Sequence, residues 1–273
     1  MTDSETGEVL TLALELAGAA GALLTARRDA SPGLIGTKTS ATDLVSEVDR
    51  ASEELIVEGI RTARPDDAIL AEEGTTERGS SRWRWVLDPL DGTVNYLYGL
   101  PGFAVSVAVE RDGRPEVGVV VDPVHGETFA AVRGGGASRN GRLIRVSDRR
   151  ELGLALVGTG FSYEAERRGR QGAVLASVLP AVRDIRRAGA ASIDLCWVAC
   201  GRLDGYFEQG LQPWDFAAGA LVAEEAGAMV GDLRGGAPSS AFTIATTPAL
   251  FEPLGRLLIS AGAGAQSSGT VGG

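Results

Sequence analysis

The stretch WVLDPLDGTVNY (85–96) carries two aspartates, Asp88 and Asp91, at the end of an apolar, strand-like run. A carboxylate delivered to such a place costs several kcal/mol unless it is paired or bound to a cation. Hard divalent cations such as Mg²⁺ take carboxylate, carbonyl and water oxygens, and Asp-Pro-Leu-Asp offers two carboxylates plus the Leu90 carbonyl. Gly92 and Thr93 follow at what reads as a helix start, where free N–H groups and the helix dipole favour a phosphate. Taken alone, the same residues also make a plain turn in which one aspartate caps a helix.

Further acids widen the chemistry. AEEG places Glu72 and Glu73 at a second strand end, and QPWDFAAGALVAEEAG places Asp215 in the first turn of a helix. Singly, the glutamates read as surface charge and Asp215 as a cap. Together, three acid-bearing turns supply enough carboxylates for two or three Mg²⁺ ions, the two-metal pattern of phosphoryl hydrolases. A nucleophilic-aspartate phosphatase is the rival, but the position that nucleophile needs, two before Asp91, is Pro89. Lys38, Asp43 and Asp49 in TKTSATDLVSEVD are individually ordinary, and TDLVSE reads as a capping region. RGGGASRNG is Gly-rich but has no Walker pattern, and reads as hairpin loops.

Composition removes other chemistries. A net charge of −10 argues against nucleic acid as the main ligand. Cys196 and Cys200 form no CxxC pair or disulfide framework. Cys196 to Arg202 fits C-x5-R, but Trp-Val-Ala-Cys-Gly between them is too bulky and apolar for a phosphate-cradling loop. His125, the one histidine, lies in the turn-like DPVHGE, which excludes His-rich zinc sites and argues against a Ser-His-Asp hydrolase. No apolar run is expected to span a membrane, and the acidic N-terminus shows no signal-peptide pattern, so the expected compartment is the cytoplasm.

The positioning elements follow from periodicity. Residues 8–27 repeat Leu and Ala at helical spacing, and the SATDLVSEVDRASEELIVEGIRTARPDD segment enters a second amphipathic helix that stops near Pro65. AILAEEG is a short strand, and residues 103–147 alternate β-branched runs with Asp-Gly and Asn-Gly turns, an antiparallel meander. From about 151 the texture becomes α/β: LALVGTGFS a strand, RQGAVLASVLPAVRDI a helix, ASIDLCWVACGR a helix and LDGYFEQG a strand. WDFAAGALVAEEAG is then a helix ending at Gly227, with AMVGDL and FTIATTP as strands. The chain thus divides into an α+β half (1–150) with most acids, an α/β half (151–260) and a Gly/Ser-rich tail (261–273).

In order and at compatible separations, these motifs resemble the inositol monophosphatase family of lithium-sensitive, Mg²⁺-dependent sugar and inositol phosphatases, over residues 8–260. The residues that carry the resemblance are WVLDPLDGTVNY, WDFAAGALVAEEAGA, AEEG, KTSATDLVSEVD, RRAGAASIDL and DGYFEQG. It implies a layered αβαβα sandwich, usually a homodimer, that hydrolyses a small phosphate monoester by a metal-activated water. By position, Glu72, Asp88 and the Leu90 carbonyl would hold one Mg²⁺; Asp88, Asp91 and Asp215 a second; and Glu72 with waters a third. Thr93 and Asp49 would position and help deprotonate the attacking water, with Gly92 and Thr93 amides on the phosphate. Glu208, Asp91 and the backbone near Ala191 would meet substrate hydroxyls, and Lys38 would lie in a loop closing over the metals. The substrate reading is myo-inositol monophosphate; histidinol phosphate, fructose 1,6-bisphosphate and a 3′-phosphoadenosine nucleotide are alternatives, and a catalytically idle binding relative is a rival of another class. Ala71 and the Gly227-Ala228 pair depart from the family's usual glycines by single methyls. Which residue of 158–165 adds a substrate contact stays open.

Overall fold

The computed structural model describes residues 3–30 and 40–264. Two long helices come first, α1 (Ser4–Ala30) and α2 (Ser40–Ala63). An eight-stranded sheet follows: β1 (Ala68–Ala71), β2 (Thr76–Glu77), β3 (Trp83–Asp91), β4 (Ala104–Arg111), β5 (Arg114–Asp122), β6 (Glu127–Val132), β7 (Gly136–Arg139) and β8 (Arg142–Leu143). Its order is β2-β1-β3-β4-β5-β6-β7-β8, with β1 parallel to β3 and the remaining pairs antiparallel, as the meander reading requires. The short helix α3 (Thr93–Leu97) leaves β3.

A second sheet, ordered β10-β9-β11-β13-β12, is built from β9 (Leu156–Thr159), β10 (Asp184–Arg186), β11 (Gly205–Glu208), β12 (Met229–Gly231) and β13 (Thr243–Thr246). Helices α4 (Ala165–Val178), α5 (Ala191–Ala199), α6 (Pro213–Glu225) and α7 (Phe251–Ser260) complete the chain.

Buried residues explain the layering. In β4, Val105, Val107 and Val109 face α1 and α2, whereas Ala104 and Ala108 face the side that α6 covers. Small residues there let a helix approach closely: a Cβ on Gly118 of β5 would lie 2.8 Å from the Ala218 carbonyl oxygen of α6. α5 packs beside α6 and also buries Leu195 and Val198 against Tyr206 and Ala245 of the second sheet. The outer face of that sheet is closed by Val178 of α4 and by Leu254 and Leu258 of α7. The stacking is therefore helices, sheet, helices, sheet, helices: the αβαβα sandwich expected from the sequence.

Three local expectations need correction. The acids at 88 and 91 do not follow a strand; they lie inside one, because β3 runs through Asp91. Asp88 opposes Ser106 and Asp91 opposes Ala104, so Pro89 and Leu90 form a bulge with one extra residue, and a bulge re-aims side chains. The segment 170–185 is not one helix. α4 starts earlier, at Ala165, and stops at Val178; Pro180 cannot continue it, and the chain re-enters the sheet as β10, parallel to β9. Finally, the stretch Ser4–Arg28 is long and apolar enough by composition to cross a membrane, contrary to the sequence reading. Within the fold it lies on β4 and β5, with Val9, Ala13, Ala17, Ala20 and Leu24 fully buried at helical spacing.

The cysteine and histidine readings hold. Cys196 is buried in α5, where burial raises its thiol pKa well above the ordinary range, and Arg202 binds Glu127. His125 sits in the β5–β6 turn, Nδ1 2.7 Å from Asp122 Oδ2.

Candidate active site

Backbone geometry gathers the acids. The parallel register Ala71↔Leu87 brings the ends of β1 and β3 side by side, and the Glu72 amide donates to the Leu87 carbonyl at 3.2 Å. Helix α2 ties both ends down. Ser52 Oγ donates to the Pro89 carbonyl at 2.9 Å, fixing the bulge. Glu53, buried beside it, accepts from the Glu73 amide at 2.9 Å and from the Thr75 amide and hydroxyl at 3.2 and 2.5 Å. Across the sheet, Ser106, opposite Asp88, donates to the Trp214 carbonyl at 3.1 Å. That bond sets the start of α6, and so Asp215, over the same spot. Asp215 also does the capping work expected of it, accepting the Gln212 amide at 2.7 Å.

From the other half, the first residues of α5 reach Asp91: Ser192 donates to its Oδ2 from the amide at 2.8 Å and from the hydroxyl at 2.5 Å. At the bulge itself, Asp88 Oδ1 accepts the Leu90 amide at 3.0 Å, and Thr93 Oγ1 donates to the Leu90 carbonyl at 3.0 Å. Gly92 turns the chain into α3 at φ 89°, and a Cβ there would lie 2.6 Å from the Gly102 carbonyl. Glu208, at the end of β11, accepts the Tyr206 hydroxyl at 2.6 Å. It fills the space in front of Gly160 so closely that a Cβ on that glycine would sit 1.9 Å from its Oε2.

One open cleft of about 280 Å³ is lined by Glu72, Asp88, Leu90, Asp91, Gly92, Thr93, Ala191, Glu208 and Asp215. Asp49 is not in its wall. It is buried on α2 behind the cleft and near Glu72 and Glu73, with Oδ1 lacking a partner among the described residues. The expected pairing of Thr93 with Asp49 is not formed, since the Thr93 hydroxyl is spent on Leu90. Lys38 lies outside the described residues, as does the side chain of Asp43. Of residues 158–165, Gly160, Phe161, Ser162 and Tyr163 line the cleft.

The electrostatics of the acids are mutually unfavourable. Burial first, then Glu72, Asp91 and Asp215, push Asp88 well above the carboxylate range, and it shares a hydrogen bond with Glu72. Burial, with help from Asp91, lifts Asp215 to about 8; burial with Glu73, Glu72 and Glu53 lifts Asp49 to about 8. Asp91 is raised to about 6 by burial, held back by its Ser192 donors, and Glu208 to about 7 by burial, held back by Tyr206. Glu72, open to the cleft but dense with protein behind, is raised as well, chiefly by desolvation.

Such a donor set, carboxylates plus a main-chain carbonyl with no nitrogen or sulfur ligand, suits a hard divalent cation, and a cation is what would relieve the repulsion. No three side chains among the described residues already close into a metal-binding group, so a cation would have to draw them inward. Sequence reasoning missed Ser52, Glu53, Ser192 and Tyr206, which hold the acids in place. Their partners lie 37, 20, 101 and 2 residues away, and only the last separation is local.

The fold and cleft define a class: a layered αβαβα protein with a carboxylate-rich, cation-type cleft between its sheets. The chain belongs to the inositol monophosphatase family, whose model matches residues 5–265. This is a family of phosphatases for which metal binding, generally of Mg²⁺, and lithium sensitivity are typical. A Pseudomonas aeruginosa protein named Nus factor SuhB is 45% identical over 233 residues, 83% of this chain and 86% of its own. A Mycobacterium tuberculosis protein named inositol-1-monophosphatase SuhB is 42% identical over 246 residues, 84% of this chain and 85% of its own. Among solved structures, Mycobacterium tuberculosis SuhB superposes with a TM-score of 0.83 at 38% identity, covering 96% of this chain and 100% of that one. An inositol monophosphatase from Anabaena gives 0.82 at 37% identity, covering 94% and 97%.

Proposed function

We propose that the protein is a Mg²⁺-dependent phosphomonoester hydrolase acting on myo-inositol monophosphate. The observation that carries this reading is the convergence of Glu72, Asp88, Asp91 and Asp215, from both halves, on one cleft beside the Gly92–Thr93 turn. Glu72, Asp88, the Leu90 carbonyl, Asp91 and Asp215 would hold two to three Mg²⁺ ions. Bound there, Mg²⁺ clamps the phosphate and lowers the pKa of water.

The chain's own residues supply the rest. Gly92 and Thr93 present main-chain N–H groups to the phosphate. Thr93 and Asp49 act on the attacking water, for which the Thr93 hydroxyl must leave the Leu90 carbonyl. Asp49, the buried acid with an unpartnered oxygen, is assigned to take the proton; burial and its acidic neighbours hold it protonated up to about pH 8 in the metal-free protein, and cations on those neighbours would favour the carboxylate that acts as base. Asp91, Glu208 and the backbone at Ala191 accept or donate to the hydroxyls of the alcohol. In this reading residues 1–150 bring most of the cation ligands and residues 151–260 the substrate side. Lys38 would belong to a closing loop. The protein works in the cytoplasm as a homodimer, with Val94, Tyr98 and Leu100 offering exposed apolar surface beside the site.

A second reading comes from the relatives named Nus factor SuhB: a binding protein of the transcription machinery. The net charge of −10 favours a protein partner over nucleic acid for it. Phosphate release from inositol 1-phosphate, with Mg²⁺ or with chelator, separates the two. Mg²⁺-dependent release lost in Asp91→Asn supports hydrolysis, and absence of release from a panel of sugar, inositol and amino-alcohol phosphates supports the binding role.

A further inference from the structure

The cleft wall holds two basic residues that the reaction described above does not use. Arg167 of α4 and Arg187, one residue beyond β10, both line it together with the acids. Two glycines at positive φ make room for them. A Cβ on Gly189 (φ 96°) would lie 2.4 Å from Arg187 Nη1, and one on Gly210 (φ 99°) 2.7 Å from Arg167 Nη1. Only glycine combines that backbone conformation with that space.

Arginines that merely offset the carboxylates would sit against them. These do not. Arg187 eases the charge on Asp91, Asp194 and Glu208, so it stands within electrostatic reach, yet it forms no ion pair with any described residue. Arg167 Nε is 3.9 Å from Glu164 Oε2, beyond hydrogen-bond length. Among the described residues, then, Arg187 has no ion-pair partner and Arg167 only the loose contact with Glu164, and both line the cleft. The cleft, about 280 Å³, has room for more than a lone phosphate group. Planar guanidinium forks match the geometry of phosphate and carboxylate.

We propose that Arg167 and Arg187 form a subsite for a second anionic group, phosphate or carboxylate, on the alcohol half of the substrate. The subsite adds a specificity determinant to the phosphatase reading, on which it rests, and extends the substrates from the neutral inositol ester to esters of alcohols that carry a second anionic group.

The test is steady-state kinetics of the full-length wild type, Arg187→Gln, Arg167→Gln and the double variant on three probes: fructose 1,6-bisphosphate, 6-phosphogluconate and glycerol 2-phosphate. Size-exclusion chromatography of each variant accompanies it. Expected is a loss of about tenfold or more in kcat/KM on fructose 1,6-bisphosphate, carried by KM, against less than about threefold on glycerol 2-phosphate. A matching loss on 6-phosphogluconate shows that carboxylate is accepted, and no such loss restricts the subsite to phosphate; both support it. Equal losses on charged and neutral esters overturn the subsite while leaving the phosphatase reading intact. Loss accompanied by a changed elution volume also overturns it, assigning the arginines to contact between copies. No phosphate released from any ester by the wild type overturns the phosphatase reading and the subsite together.

Discussion

Asp215→Asn should make the metal-stripped protein more stable at neutral pH, although it removes a carboxylate from the candidate site. Burial and Asp91 raise Asp215 from 3.8 to about 8, so the folded protein holds this proton far more tightly than the unfolded chain does. Its contribution to stability is fully present below the unfolded value near 4 and is lost as pH rises toward the folded value near 8. Between pH 5 and pH 7 that slope is one proton, at about 1.36 kcal/mol per pH unit, or about 3 kcal/mol in all. For a chain of this size 1 kcal/mol moves Tm by about 2–4 °C, giving a fall of about 6–12 °C from this group. Asparagine does not titrate and can still accept the Gln212 amide through its side-chain oxygen, so the fold loses no cap. Thermal scans in chelator at pH 5, 6, 7 and 8 provide the assay. The wild type should lose Tm with rising pH, and D215N should lose distinctly less. Asp49, also near 8, keeps the variant from becoming flat. Excess Mg²⁺ should restore the wild type at pH 7 by about 2.7 kcal/mol at 100 times Kd, and should do less for D215N. Parallel Tm–pH profiles for the two proteins in chelator would refute the claim that mutual repulsion destabilises the cluster.

Glu208→Gln should weaken discrimination among polyol phosphates more than turnover of an aryl phosphate, by about 10-fold or more per lost charged hydrogen bond; equal losses would place Glu208 elsewhere in the machinery. Gly160→Ala should produce the same pattern, because its Cβ displaces the Glu208 carboxylate, and a wild-type substrate profile in G160A would contradict that geometry. Glu53→Gln should raise the Mg²⁺ concentration needed for half-maximal activity by about tenfold, since the turn carrying Glu72 loses charge-assisted bonds. A fall in Tm with unchanged Mg²⁺ dependence would make Glu53 structural only.

Much of this was legible in the sequence because the informative patterns are local. The meander from β4 to β8 follows from alternating Val runs and Gly turns, and the acids of β1, β3 and α6 announce themselves by standing where apolar periodicity ends. What stayed hidden depends on chain crossing over itself. Nothing near Ser192 says that it will meet Asp91, and nothing near Ser106 says that it will hold Trp214. The bulge at Pro89 is likewise a property of the pairing with β4, so a strand end was expected where β3 in fact continues. The apolar spacing of 170–185 suits a helix and so hides β10, which the break at Pro180 makes possible. Pro253 and Gly255 disguise α7 in the sequence, although Pro253 falls in the first turn, where no N–H is needed.

The central claim is that Asp88 and Asp91 hold cations and never bond to phosphorus, so that water attacks the ester directly. One displacement inverts configuration at phosphorus, whereas a phospho-aspartate intermediate requires two and gives net retention. The measurement is the stereochemical course of hydrolysis of an isotopically chiral phosphate monoester by the wild-type protein with Mg²⁺. Inversion is the predicted result; retention, or a phosphorylated Asp88 or Asp91 trapped on quenching, would contradict the account.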